Sequence, residues 1–243
     1  MTPLIRRTKE AAEQIYRLLR QGWKERYGLK GSVGAGGDRT AGIDSLAESI
    51  YIDALASFGR IDSEERGSVG EGRDTIVLDP IDGSSNALSG LPYFGSSIAL
   101  QREGETVEAV VVNLANGDIF AKADGGLMSG RLEEEGWRPV VARESSEIGI
   151  FEKAYADPLL AFALLNEKRK FRSPGAVALS LAYAHYVDFV IFAGSRRPYD
   201  FAAALRMCED LVIIEEARLL IVAKEEETAN HLQRLAHRRK DEA

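Results

Sequence analysis

The chain reads as a mixed α+β protein that turns to alternating α/β in its second half. Three observations predict this. Residues 3–27 have the spacing of an amphipathic helix, with Leu4, Ile5, Ala12, Ile15, Leu18, Leu19 and Trp23 near one face and Pro3 in its first turn. Residues 94–131 read as an antiparallel meander. Runs 97–100 and 107–112 are strands, Asn116-Gly117-Asp118 is a hairpin turn, 119–121 returns from it, and Asp124-Gly125-Gly126 turns again. After Pro139, short apolar runs alternate with helical patterns.

The other elements follow in order. Residues 28–37 are rich in glycine and read either as a flexible connector or as a lid beside a charged site. Asp38 is a turn acid and Asp44 a cap for a helix over 43–58, whose core face is Leu46, Ile50 and Leu55, with Glu48 one turn beyond Asp44. Residues 61–65 form a strand end with adjacent acids, and 67–72 a connecting loop. Thr75 to Leu78 is a buried strand that stops at Pro80, which has no N–H for a ladder. In the second half, 140–142 is a strand, and Asp157 with Pro158 starts a helix over 157–168. Arg172-Ser173-Pro174-Gly175 is a turn into an apolar helix over 176–186, and 189–192 is a strand. The run 194–200 opens a helix over 201–209, strands follow at 212–214 and 219–223, and a helix over 228–239 ends the pattern. We expect one compact unit of two halves, 1–138 and 139–243.

A chain of 243 residues with 45% hydrophobic and 28% charged residues has core enough to be stable unaided. Its formal net charge of −7, from 31 basic and 38 acidic residues, argues against a basic nucleic-acid face. An acidic enzyme acting on phosphate esters needs metal ions to cancel the repulsion. Cys208, the one cysteine, reads as a small apolar residue, and the lack of a second suits a reducing cytosol. Residues 1–27 are too charged for a signal peptide, and no apolar run approaches a membrane span. The expected location is the cytoplasm.

The chemistry centres on 75–87. Asp79 and Asp82 at the strand's carboxyl end offer two hard oxygen ligands for a divalent cation. Gly83-Ser84-Ser85-Asn86 is a turn and then a helix start, capped by Ser or Asn, where free N–H groups suit a phosphate. Alone, this stretch reads equally as an Asx-rich turn. His185, His231 and His237 form no site with a nucleophile, and no Cys/His cluster suits zinc. Carboxylates, hydroxyls and backbone groups remain, and they point to Mg²⁺.

Glu64-Glu65, then Asp79-Pro80-Ile81-Asp82-Gly83-Ser84, then Tyr199-Asp200-Phe201-Ala202-Ala203 resemble the inositol monophosphatase / fructose-1,6-bisphosphatase superfamily, in order and rough spacing. Gly37-Asp38 with Asp44, and Asp82-Gly83-Ser84-Ser85-Asn86, resemble the bisphosphatases. Tyr199-Asp200 resembles the Trp-Asp of the monophosphatases, and the mixture looks like the dual-activity sugar phosphatases of archaea and some bacteria. The resemblance implies a five-layered α-β-α-β-α sandwich. It implies metal ligands at Glu64, Asp79, the Ile81 carbonyl, Asp82 and Asp200, mostly in the first half, with Asp44 beside a further, weaker metal. Glu65 resembles the second acid of the bisphosphatase pair, and Ser84 replaces the usual threonine.

Roughly two or three Mg²⁺ ions, or Mn²⁺ in their place, would then activate a water and bind phosphoryl oxygens. Ser84 would hydrogen-bond that water, with Asp44 behind it or Glu64 or Glu65 accepting its proton, and the amides of Gly83, Ser84 and Ser85 would hold the phosphate. The chain departs from the family at Glu215-Glu216-Ala217-Arg218, where Glu-Ala-Gly-Gly is usual. It departs again at Gly175-Ala176-Val177-Ala178, which lacks a hydroxyl that often meets the polyol. Arg172 and Arg197 are candidates for a sugar or second phosphate. The implied activity is Mg²⁺-dependent phosphomonoester hydrolysis of inositol 1-phosphate, fructose 1,6-bisphosphate or both. The alternatives are a 3′-phosphoadenosine 5′-phosphate phosphatase of the same fold and a non-catalytic regulatory member. The expected partners are a small phosphorylated sugar or polyol and a second copy of the chain, with no nucleic acid and no membrane.

Overall fold

The computed structural model describes residues 1–238. Helix α1 (Pro3–Arg20) starts where Thr2 accepts the Ile5 amide at 3.2 Å, and it buries Leu4, Ile5, Ala12 and Ile15. It stops short of residue 27 because Gly22 turns to a φ of 101°, which leaves Trp23 exposed instead of on the core face. The glycine-rich stretch is an antiparallel hairpin, β1 (Lys30–Val33) and β2 (Arg39–Ala41). Helix α2 (Gly42–Leu55) buries Ile43, Ala47, Tyr51 and Leu55; Leu46 and Ile50 are only partly buried. Its inward face also carries Asp44 and Glu48, each with a buried hydrogen-bond partner.

Strands β3 (Arg60–Ser63), β4 (Gly67–Val69) and β5 (Thr75–Asp82) follow, so residues 67–69 are a strand and not merely a loop. Contrary to the expected stop, β5 continues past Pro80. Asp79 pairs with Ser97 and Asp82 with Gly95, a bulge that absorbs the proline, whose carbonyl accepts from Ser96 Oγ at 2.7 Å. After α3 (Ser84–Ser89) the meander runs β6 (Gly95–Arg102), β7 (Glu105–Asn113), β8 (Asp118–Lys122), β9 (Met128–Arg131) and β10 (Arg138–Pro139). The last strand lies at 138–139 rather than 140–142, and Val141 is exposed.

The second half adds β11 (Ile148–Glu152), α4 (Pro158–Asn166), β12 (Lys170–Arg172), α5 (Val177–Ala182) and β13 (Phe189–Ala193). It ends with α6 (Pro198–Met207), β14 (Val212–Glu216), β15 (Leu219–Ala223) and α7 (Glu226–Arg238). Residue 239, where the sequence pattern ends the last helix, lies outside the described residues, as do 240–243.

Two sheets carry the molecule: an eight-stranded sheet in the order β10-β9-β8-β7-β6-β5-β3-β4 and a five-stranded sheet in the order β12-β11-β13-β15-β14. Period-two alternation sorts the side chains into three cores. Ile76, Leu78, Ile98, Val110 and Val112 face α1 and α2. Val77, Ala99 and Val111 face α5 and α6, which meet Val190, Phe192, Leu220 and Val222 of the second sheet. Phe189, Ile191, Leu219 and Ile221 face α4 and α7. The layers are therefore α-β-α-β-α, and α5 and α6 are the helices shared between the sheets.

Phe192 is 1% exposed and meets Phe201 edge-on at 4.9 Å, which seats α6 on the second sheet. Phe192→Ala should cost about 3–5 kcal/mol in denaturant unfolding. A cost under about 1 kcal/mol would show that this contact does not seat the helix.

Candidate active site

The bulge in β5 builds the floor of the site. Asp79 Oδ1 accepts the Ile81 amide at 3.0 Å across Pro80, an Asx turn that aims the carboxylate away from the ladder. Gly83 then takes a φ of 86°, and it, not a serine or asparagine, caps α3. A side chain there would meet Ala176 Cβ at 3.0 Å and the Gly175 and Tyr93 carbonyls at 3.2 Å, so both space and backbone require glycine. Ser84 Oγ lies 2.7 Å from Asp44 Oδ1 and 2.9 Å from the Ile81 carbonyl. Its one proton favours the carboxylate. Asp44 Oδ2 in turn accepts the Ala41 amide at 2.6 Å.

Three segments bring acids together. Glu64 follows β3, Asp79 lies in β5, and Asp200 lies in the first turn of α6. All three are buried, and one oxygen of each lies within 4.8 Å of the others. Asp82 is buried beside them but gives one oxygen to the Leu179 amide at 2.9 Å. Arg197 reaches into this group: Nη1 is 2.7 Å from Glu64 Oε1 and 3.0 Å from Asp38 Oδ2, and Nε is 3.1 Å from Asp200 Oδ2. Glu65 accepts from the Thr40 hydroxyl. Glu48 is taken up by Ser63 Oγ at 2.6 Å and Arg66 Nε at 2.7 Å, so it braces the wall rather than facing the cavity.

Burial pushes Glu64 up to about 7, against the pull of the Arg197 guanidinium and with the push of Asp200, Glu65 and Asp38. Burial also raises Asp79 and Asp82 well above the usual carboxylate range; the charges of Glu64 and Asp82 add to it at Asp79, and that of Asp200 at Asp82. Asp44 and Glu65 are raised by burial as well. Three converging oxygen donors with no sulfur or imidazole fit a hard divalent cation such as Mg²⁺.

The acids open onto a cavity of about 560 Å³, lined also by Ile81, Gly83, Ser84, Ser85 and Gly175. The amides of Gly175 and Ala176 point inward to Glu152, at 3.0 and 3.3 Å, and Ser180 Oγ meets the same carboxylate at 2.5 Å. Those two amides are therefore already committed. Arg172 stands exposed on the edge strand β12, donates to the Phe171 carbonyl at 2.9 Å, and does not line the cavity. Arg197 lines it, with its guanidinium turned to the acids. The cationic wall is instead Lys30, Arg39 and Lys153. Sequence reasoning missed these three, and missed Glu152, whose signal was an acid ending the apolar run 148–151. It missed Asn86 as a tie as well: Nδ2 donates to the Tyr93 and Pro174 carbonyls, both at 2.7 Å, and joins the two halves beside Gly83.

The model of the inositol monophosphatase family matches residues 1–217. The chain belongs to that family. It is 31% identical over 219 residues to the Nus factor SuhB of Escherichia coli strain K12, covering 84% of this chain and 80% of that one. It is 26% identical over 196 residues to the fructose-1,6-bisphosphatase of Pyrococcus furiosus, covering 78% of this chain and 72% of that one. Among solved structures, the extragenic suppressor protein SuhB of Bartonella henselae superposes with a TM-score of 0.81 over 97% of this chain and 99% of that one, at 21% identity, a likeness of fold. The solved structure agrees with the mixed α+β architecture, and the family, with the fructose-1,6-bisphosphatase among the relatives, supports a phosphatase-type role. No helix among the described residues is long and apolar enough to cross a membrane.

The acids set a pH dependence. Glu64 rises from an ordinary 4.5 to about 7 on folding. The native state therefore holds its proton more tightly, and this contribution is complete below about pH 4.5 and lost as pH climbs through about 7. In excess chelator the Tm should fall between about pH 5 and 8, and added Mg²⁺ at about pH 8 should restore it. A chelated protein whose Tm is flat or rises over that range would contradict this.

Proposed function

We propose that the protein is a Mg²⁺-dependent phosphomonoesterase that hydrolyses inositol 1-phosphate and fructose 1,6-bisphosphate. The convergence of Glu64, Asp79 and Asp200 at the cavity floor, with the Ser84–Asp44 hydrogen bond alongside, carries this reading. A bound divalent ion supplies charge neutralisation for the phosphate and a more acidic water. Ser84 gives its proton to Asp44, so its oxygen is free to accept one from the attacking water. The water's single proton passes through Ser84 to Asp44, whose proton affinity burial raises, or goes instead to Glu64 or Glu65. The amides of Gly83, Ser84 and Ser85 hold the phosphate at the cavity wall. Lys30, Arg39 and Lys153 face the rest of the substrate.

This wall supports breadth. Gly175 and Ala176 spend their amides on Glu152, and no hydroxyl stands at Ala176 or Val177 to read a polyol. Strong rejection requires polar groups that the wrong substrate leaves unpaired. The same openness keeps the 3′-phosphoadenosine 5′-phosphate reading as an arm of the test. The expected working form is a cytoplasmic homodimer.

A phosphate-release panel over the three substrates, with Mg²⁺ and with chelator, tests the reading. Activity should vanish with chelator and return with Mg²⁺ or Mn²⁺. The kcat/KM values for the two sugar substrates should lie within about two powers of ten, under roughly 3 kcal/mol. Asp79→Asn should fold and lose at least about a hundredfold in kcat. The kinship with a protein named a Nus factor favours one rival, a non-catalytic regulatory member. A pure, folded protein that takes up Mg²⁺ yet releases no phosphate from any substrate would favour that rival.

A further inference from the structure

Arg197 is the one cation ion-paired with the converging acids among the described residues, and its partners come from three separate parts of the chain. Glu64 follows β3, Asp200 belongs to α6, and Asp38 belongs to the loop of the β1–β2 hairpin. Glu64 and Asp200 are also two of the three residues whose oxygens converge. Asp38 differs from them: its side chain is 84% exposed, at the mouth of the cavity rather than its floor. The hairpin is bound to the same place. Gly36 N–H donates to the Glu64 carbonyl at 2.7 Å and Ala35 N–H to the Glu65 carbonyl at 3.0 Å. A side chain at residue 36 would meet Glu64 Cγ at 2.4 Å, so the hairpin tip lies directly on the Glu64 side chain.

We propose that Arg197 is a built-in competitor for the cation: it and the metal are alternative partners of Glu64 and Asp200, and Asp38 is the carboxylate that keeps the guanidinium when the metal takes the other two. The inference rests on the metal reading given above. Its physical basis is short. A guanidinium and a divalent ion on the same two buried carboxylates repel each other at close range in a site that screens poorly. Metal entry therefore breaks the contacts at 2.7 and 3.1 Å, while the exposed contact at 3.0 Å to Asp38 can persist. Arg197 and Asp38 then act with opposite sign. The arginine holds the site against metal, and the aspartate makes the displaced arginine easier to keep.

The test is calorimetric titration of the full chain with Mg²⁺ and with Mn²⁺, without substrate, at one pH and ionic strength. Arg197→Gln should bind metal at least about fivefold more tightly than the parent, and its Tm in chelator should be lower because the acids have lost their counter-charge. Arg197→Lys, which keeps the charge on a single point, should tighten binding by a smaller factor. Asp38→Asn should weaken binding by about threefold in the parent and leave it unchanged in the Arg197→Gln background. An Arg197→Gln protein that binds metal equally or more weakly would overturn the proposal. So would an Asp38→Asn effect of equal size in both backgrounds. If neither parent nor variant takes up metal, the metal reading falls and this inference falls with it. Metal uptake with equal affinity sinks the inference alone.

Discussion

Three buried carboxylates with oxygens within 4.8 Å of one another are the constraint on which this structure turns. Glu64 follows β3, Asp79 lies in β5 and Asp200 in α6, and removing each from water is unfavourable unless a cation faces it. The protein meets this in part through Arg197 and in part through raised proton affinity, which takes Glu64 up to about 7. Neither is a full answer for so many acids. A site that holds negative charge in excess of its own cations suits a cation from outside.

The fold supplies what holds the acids in place. The bulge at Pro80 keeps Asp79 and Asp82 near one another while both stay paired with β6, and Gly83 lets α3 start at once. Helices α5 and α6, packed between the two sheets, bring Leu179 to Asp82 and Asp200 to Asp79. Glu152 closes the far wall by capping the backbone at Gly175 and Ala176. Much of the polar machinery therefore positions other polar groups, which is what a rigid charged site requires.

What the sequence disclosed was mostly local. The turn at Asn116-Gly117-Asp118 and the Asp157 cap, where Oδ1 accepts the Leu160 amide at 3.2 Å, depend on near neighbours and were legible. The acid motif around Asp79 was legible for the same reason, and the family match agrees with the resemblance read from it. Effects that depend on distant partners were not. Pro80 ends a strand by its own chemistry, yet β6 supplies a bulge and a hydroxyl that carry the strand onward. The glycine-rich stretch looked unstructured because its order comes from the Glu64 and Glu65 carbonyls. Strands β11 and β12 pair in parallel across α4, so no hairpin turn joins them to mark the pairing. Arg197 reads from sequence as a candidate for a sugar or second phosphate, because Asp38 and Glu64, the acids it reaches across the fold, lie far away in the chain.

The central claim is that these converging oxygens are a divalent-cation site. The most direct measurement is anomalous diffraction from crystals grown with Mn²⁺, recorded on both sides of the manganese absorption edge. The account predicts a strong anomalous peak in contact with carboxylate oxygens of Glu64, Asp79 and Asp200, with the Arg197 guanidinium moved off Glu64. No peak there at saturating Mn²⁺, with Arg197 still joining Glu64 to Asp200, would contradict it.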